Sequence, residues 1–181
     1  MKTKIKCLTS VFLTITMLLS IIVVAPITVN ASEDDLTYGD FTYEVNNDGS
    51  CTITDYEGKS ADVSIPSTIC GHKVTKIGSG AFLLCDSLTS INIPDGAETI
   101  EGEAFKYCEK LANITIPESV SYIGGETFAD TKWFNKQADG LVYAGNNAYA
   151  YKGAMPQNTT VTLKEGTKSI AGNAFYSEEN L

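Results

Sequence analysis

The chain has 181 residues, enough for one domain of ordinary size, and carries 13 lysines, no arginine and 22 acids, for a formal net charge of −9. Three lysines precede Ser32 and every acid follows it, so the chain from Ser32 onward stands at −12. An acidic surface without arginine repels phosphate backbones and anionic bilayers, which argues against nucleic acid and membrane surfaces as partners and fits solubility in an extracellular medium.

Residues 1–31 read as a signal peptide. Lys2, Lys4 and Lys6 form a basic start, Leu8 to Val24 is an uncharged apolar run, and Val29-Asn30-Ala31 offers small residues for cleavage before Ser32. The rival reading is an uncleaved transmembrane anchor. Pro26 and the cleavage site favour removal, after which no membrane insertion is expected. Residues 32–60 are read as an N-terminal cap built on a β-hairpin. Phe41 to Val45 and Cys51 to Thr54 flank Asn46-Asn47-Asp48-Gly49-Ser50, a turn signal. This turn lacks the run of acidic ligands and the closing glutamate of a calcium loop.

From residue 61 the chain repeats. "INIPDGAETIEGEAF" (residues 91–105) returns 23 residues later as "ITIPESVSYIGGETF". Identical positions are Leu88/Leu111, Ile91/Ile114, Ile93/Ile116, Pro94/Pro117, Ile100/Ile123, Gly102/Gly125, Glu103/Glu126 and Phe105/Phe128. A third copy runs through Val63, Ile65, Pro66, Ile77, Gly78 and Phe82, with five extra residues near Cys70 to Val74. A fourth runs through Val161, Leu163, Ile170, Gly172 and Phe175. Within a copy, alternation around Ile91 and Ile93 predicts a short half-buried strand that Pro94 ends. A second extended piece surrounds Ile100. Ala104, Phe105 and Cys108, spaced three and four apart, predict about one and a half helical turns over Glu103 to Lys110. One such unit cannot fold alone. Ordering 23 residues costs roughly 1–2 kcal/mol each, and five or six large apolar side chains return only about 1.5–3 kcal/mol each. Stacked rungs sharing one core remove the deficit, so the period predicts a solenoid with parallel strands at about a 23-residue repeat.

Ile116 to Leu163 spans 47 residues, so about 24 are inserted, and the extra segment is placed at about 134–158. Within it "GLVYAGNNAYAYKG" predicts a second hairpin turning at Gly145-Asn146-Asn147. Trp133, Tyr143, Tyr149 and Tyr151 are the candidate ligand-binding residues. Either these aromatics patch the core of a degenerate rung, or they form a ligand platform jutting from the array. Ile170 to Leu181 equals the spacing of Ile100 to Leu111, so a further rung is expected to open at Leu181 and the chain is expected to be truncated at its C-terminus.

The Ile-x-Ile-Pro, Ile-(Gly/Glu)-x-x-Ala-Phe and Cys-x-x-Leu elements, with "IPSTICGHKVTKIGSGAF" as the first rung, resemble the short leucine-rich repeats of the BspA-like, treponemal type. The resemblance covers residues 61–181 with one interruption. It implies a leucine-rich repeat solenoid, β-rich with short helices on its outer side. It also implies a secreted or cell-surface bacterial protein that adheres to extracellular protein or polysaccharide.

Chemistry is sparse. Cys85 and Cys108 share one repeat position and are expected to be stacked buried thiols, whereas Cys51 and Cys70 are the better pair for a disulfide. His72 has no metal-ligand partner at useful spacing. Glu103 and Glu126 predict a like-charge column near the helix starts. Asn113 and Asn158 match the glycosylation pattern but lie on predicted strands of a bacterial-looking chain. No nucleophile motif, phosphate loop or paired carboxylate is seen, and no cofactor or metal is expected. The exposed strand positions Asp62, Ser64, Ser90, Asn92, Asn113, Thr115, Thr160 and Thr162 are small and polar. Two readings of function follow. One is a non-enzymatic extracellular binding scaffold; the other is an architectural or accessory segment of a larger exported protein.

Overall fold

The structure is a computed structural model that describes residues 36–176. The expected signal peptide and the expected rung at Leu181 lie outside the described residues. No helix among those described is long and apolar enough to cross a membrane.

The hairpin signal at the start becomes β2 (Phe41–Val45) and β3 (Cys51–Tyr56), paired antiparallel, with β1 (Leu36–Tyr38) antiparallel to β2. Its turn is closed by Asp48, whose carboxylate accepts from the Ser50 amide and hydroxyl at 2.9 and 2.7 Å. Two parallel ladders then climb the repeat. One joins β4 (Asp62–Ser64), β7 (Ser90–Asn92) and β9 (Asn113–Thr115), with Val63 opposite Ile91 and Ile91 opposite Ile114. The other starts on β3 of the hairpin. It continues through β6 (His72–Ile77), β8 (Thr99–Ile100) and β10 (Tyr122–Ile123), with Ile53, Ile77, Ile100 and Ile123 in one column. The five extra residues of the first rung form a tight hairpin of β5 (Thr68–Ile69) with β6. Its loop residues Cys70 and Gly71 have φ of 51° and 87°, the sign that a two-residue turn with primed geometry requires.

The expected helix over Glu103 to Lys110 does not form. Residues there run in successive turns, and alternate amides bond to the neighbouring rung. Glu103, Phe105 and Tyr107 donate to the carbonyls of Gly125, Thr127 and Ala129 at 3.2, 2.9 and 3.0 Å. The amides between them close local turns, as Lys106 does on Glu103 and Cys108 on Phe105. The segment is thus a third inter-rung ladder. A helix would have turned its later amides onto its own carbonyls and left the acceptors of the next rung unpaired. The turns require a left-handed backbone at two repeat positions, occupied by Gly80, Glu103, Glu126 and Asn173 and by Leu84, Tyr107 and Asp130. The only helix among the described residues is α1 (Lys132–Asn135), at the start of the insertion.

The core follows the columns. Phe82, Phe105 and Phe128 are fully buried and stacked, with ring centroids 5.0 and 5.6 Å apart. Tyr56 of the cap lies on Phe82 at 5.0 Å. The repeat glycines serve close approach of these backbones: a Cβ on Gly124 would sit 2.3 Å from the Gly102 nitrogen. The expected disulfide between Cys51 and Cys70 is not made, because Cys51 is a buried free thiol pointing at the His72 carbonyl. His72 instead ties its hairpin to the cap, Nδ1 lying 2.8 Å from the Gly49 carbonyl oxygen. The Glu103/Glu126 column caps no helix. Lys106 lies between them, 2.5 Å from Glu126 and 3.8 Å from Glu103, and offsets one of their two charges.

Candidate functional site

The inserted residues form β11 (Gly140–Ala144) and β12 (Asn147–Lys152), an antiparallel hairpin turning at Gly145 and Asn146. The hairpin acts as a rung. β12 pairs parallel with β13 (Ser169–Ile170), placing Ala148 opposite Ile170, and the Ala171 amide bonds the Ala148 carbonyl at 2.9 Å. Ala148 therefore takes the column position of Ile100 and Ile123. Further along, the Tyr151 amide bonds the Ala174 carbonyl, the bond that the phenylalanine amide makes in the regular rungs. The inserted rung brings no phenylalanine onto the outer face of Phe128.

Tyr149 and Trp133 close it. Their rings meet Phe128 edge-on, with centroids 5.3 and 5.1 Å away. Tyr149 is 3% exposed, and its hydroxyl accepts the Phe128 amide at 2.8 Å. In the regular rungs the Phe82 and Phe105 amides bond carbonyls of the next rung. The phenol stands in for that carbonyl. Burial pushes the Tyr149 phenol well above its ordinary pKa. Thr131 caps α1 through its hydroxyl, which accepts the Phe134 amide, and so sets Trp133 over the core. Lys152 holds the other end of α1, its ammonium bonding the carbonyls of Asn135 and Gln137.

Tyr143 and Tyr151 are placed differently. Alternation along β11 turns Val142 and Ala144 inward and leaves Leu141 and Tyr143 half-exposed. Tyr151 is half-exposed opposite Leu141, so these two side chains share one face of the hairpin, whereas a register shift after Val142 sets Tyr143 opposite Ala148. The Lys164 ammonium sits 3.9 Å from the centre of the Tyr143 ring. The Tyr143 hydroxyl lies 3.2 Å from the Thr167 hydroxyl and accepts the Lys164 amide at 2.9 Å. The bond with Thr167, then that amide and the ammonium charge of Lys164, hold this phenol below its ordinary pKa. The four candidate residues thus divide between two environments. Trp133 and Tyr149 face the core, and Tyr149 has no surface with which to meet a partner. Tyr143 and Tyr151 face outward with Leu141 and Lys164. Sequence reasoning missed Leu141, Lys164 and Thr167; the legible signal was that Thr167 follows Tyr143 by 24 residues, about one rung.

The polar strand face is as plain as its residues. Asp62, Ser64, Asn92, Asn113 and Thr115 are exposed and Ser90 is half-exposed. Val161 to Leu163 forms no strand; one period earlier the chain reads Ala138-Asp139-Gly140, which offers no alternating partner. Among the described residues no cluster of three or more His, Cys, Asp or Glu is placed to hold a metal ion.

Stacked parallel ladders, a phenylalanine column and a period near 23 residues define a leucine-rich repeat solenoid. The chain belongs to the BspA-type leucine-rich repeat family, whose model matches residues 59–181 with six copies, two more than the four legible by pattern. It is similar to a leucine-rich repeat protein from Bacteroides capillosus, with 30% identity over 54% of this chain and 75% of that one and a TM-score of 0.51. It is also similar to the T. pallidum leucine-rich repeat protein, with 34% identity over 50% of this chain and a TM-score of 0.49. The matched region spans 43% of the T. pallidum chain, less than half its length. A leucine-rich cell surface protein from Faecalibacterium prausnitzii matches at 27% identity over 55% of this chain and 35% of its own, with a TM-score of 0.43. No curated protein matches the chain.

Proposed function

We propose that this protein is a non-catalytic binding scaffold, secreted or exposed at the bacterial cell surface, that recognises extracellular protein or polysaccharide. The observation that carries this reading is the outer face of the inserted hairpin. It presents Tyr143 with the Lys164 ammonium against its ring, and the half-exposed pair Leu141 and Tyr151, on an array whose other strand face is small and polar. Tyrosine rings stack on sugars and on apolar side chains with little entropy to lose. Small hydroxyls and amides in water gain little net free energy per hydrogen bond. The leader-like residues 1–31 and the acidic, arginine-free composition support a place outside the cell. The second reading is an architectural segment, favoured by the way Trp133 and Tyr149 are consumed by the core.

Tyr143→Ser with Tyr151→Ser should leave the melting transition nearly in place and abolish capture of the polysaccharides and extracellular matrix proteins that the native protein retains on an immobilised panel. Undiminished capture by the folded double variant would remove the site from this hairpin. A native protein that captures nothing would favour the architectural reading.

A further inference from the structure

Cys85 and Cys108 occupy the same repeat position on adjacent rungs, and both are free thiols. The backbones beside them are locked together, the Phe82 and Leu84 amides bonding the Ala104 and Lys106 carbonyls at 2.8 and 3.1 Å. Cys108 is buried, and its Sγ lies 2.9 Å from the Phe82 carbonyl oxygen. Cys85 is half-buried and lines a surface concavity of about 400 Å³ together with Tyr56, Lys59, Leu84 and Leu88. The binding face described above uses neither thiol.

We propose that Cys85 is a thiol-modification site that reacts with small disulfide molecules entering this concavity, and that Cys108 is its resolving partner, so that the reaction ends in a Cys85–Cys108 disulfide joining neighbouring rungs. The geometry suits the bond. A disulfide needs Cα atoms about 4.4–6.8 Å apart, and parallel neighbours stand about 4.8 Å apart. The phenylalanines three residues before these cysteines have ring centroids 5.0 Å apart.

The order of attack follows from the surroundings. Cys85 lines the concavity whereas Cys108 is buried, so Cys85 meets the incoming molecule first, and its interaction with Cys108 holds its thiol below the ordinary pKa. The interaction with Cys85, and then burial, push the Cys108 thiol up. The Cys85 thiolate attacks one sulfur of the small disulfide; a Cys85–S bond forms, the incoming S–S bond breaks, and one thiolate leaves and takes a proton from water. The Cys108 sulfur then attacks Cys85 Sγ, and the second small thiol leaves carrying the Cys108 proton. Two thiols are oxidised and one small disulfide is reduced to two thiols.

The test treats the folded full chain with bis(2-hydroxyethyl) disulfide and maps its peptides by mass. Buried Cys51 is the internal comparator, its thiol raised by burial. Cys85 should be consumed at least roughly tenfold faster than Cys51 and be recovered linked to Cys108. Cys108→Ser should stop at a mixed disulfide on Cys85, and Cys85→Ser should leave Cys108 unmodified until the protein is denatured. The proposal is overturned if Cys85 reacts no faster than Cys51, or if the native protein keeps a mixed disulfide on Cys85 as Cys108→Ser does. Mapping of the native protein decides the matter even where a variant fails to fold.

Discussion

Phe105 has no exposed surface and lies between two rings, 5.0 Å from Phe82 and 5.6 Å from Phe128. Removing its ring forfeits burial and leaves a cavity on both sides, so Phe105→Ala should cost about 3–5 kcal/mol in chemical denaturation. A midpoint equal to that of the native protein would place Phe105 outside the core. Leu84 shows the opposite case. It is 60% exposed and has φ of 60°, so its side chain gains little from burial while its backbone sits in the left-handed region. Relief of about 1–2 kcal/mol of steric strain exceeds the roughly 0.5–1 kcal/mol of extra chain entropy that glycine loses. Leu84→Gly should therefore raise stability by up to about 1 kcal/mol, although it deletes a large apolar group. A lower melting temperature would contradict this.

At the scale of the element, two devices can be tested. The Tyr149 hydroxyl replaces a carbonyl that the inserted rung does not supply to the Phe128 amide. Tyr149→Phe keeps the ring over Phe128 and orphans a buried donor, so it should cost about 1–3 kcal/mol. The cap turn depends on Asp48, whose hydrogen bonds with the Ser50 hydroxyl and amide hold its carboxylate below the ordinary value of 3.8. A carboxyl depressed by folding stabilises the protein above its unfolded pKa, and that contribution is lost as pH falls through its folded value. The native melting temperature should drop on acidification below about pH 4, and Asp48→Asn should flatten that part of the profile. An unchanged profile would show that the turn closes without the charge. The strand register was legible because a 23-residue period aligns the Ile-x-Ile and Ile-to-Phe spacings in every copy. The segment from Glu103 to Lys110 was not, since Ala104, Phe105 and Cys108 have helical spacing. What overrides that spacing is a set of acceptors on the next rung, at Gly125, Thr127 and Ala129, which a local window does not contain. Tyr149 was legible as an aromatic but not as a core residue. Its burial follows from the inserted rung, which sets a small Ala148 where isoleucine would stand and brings no phenylalanine onto Phe128.

The described residues form one column of aromatic and aliphatic side chains wound by three ladders, with Tyr56 and Tyr149 at the two ends of the stack of Phe82, Phe105 and Phe128. Tyr56 of the N-terminal hairpin covers Phe82, and Tyr149 of the inserted hairpin covers Phe128. At the last described rung Ile170 and Phe175 occupy the same columns and are 47% and 40% exposed. Because each rung touches only its neighbours, stability should be a sum of rung and interface contributions. The central claim is that the rungs stack in this order and register, and proton–proton nuclear Overhauser spectroscopy on the isotopically labelled protein tests it most directly. The account predicts ring contacts from Tyr56 to Phe82, Phe82 to Phe105, Phe105 to Phe128 and Phe128 to Tyr149, with none between Phe82 and Phe128. Direct contact between Phe82 and Phe128, or none between Phe105 and Phe128, would contradict it.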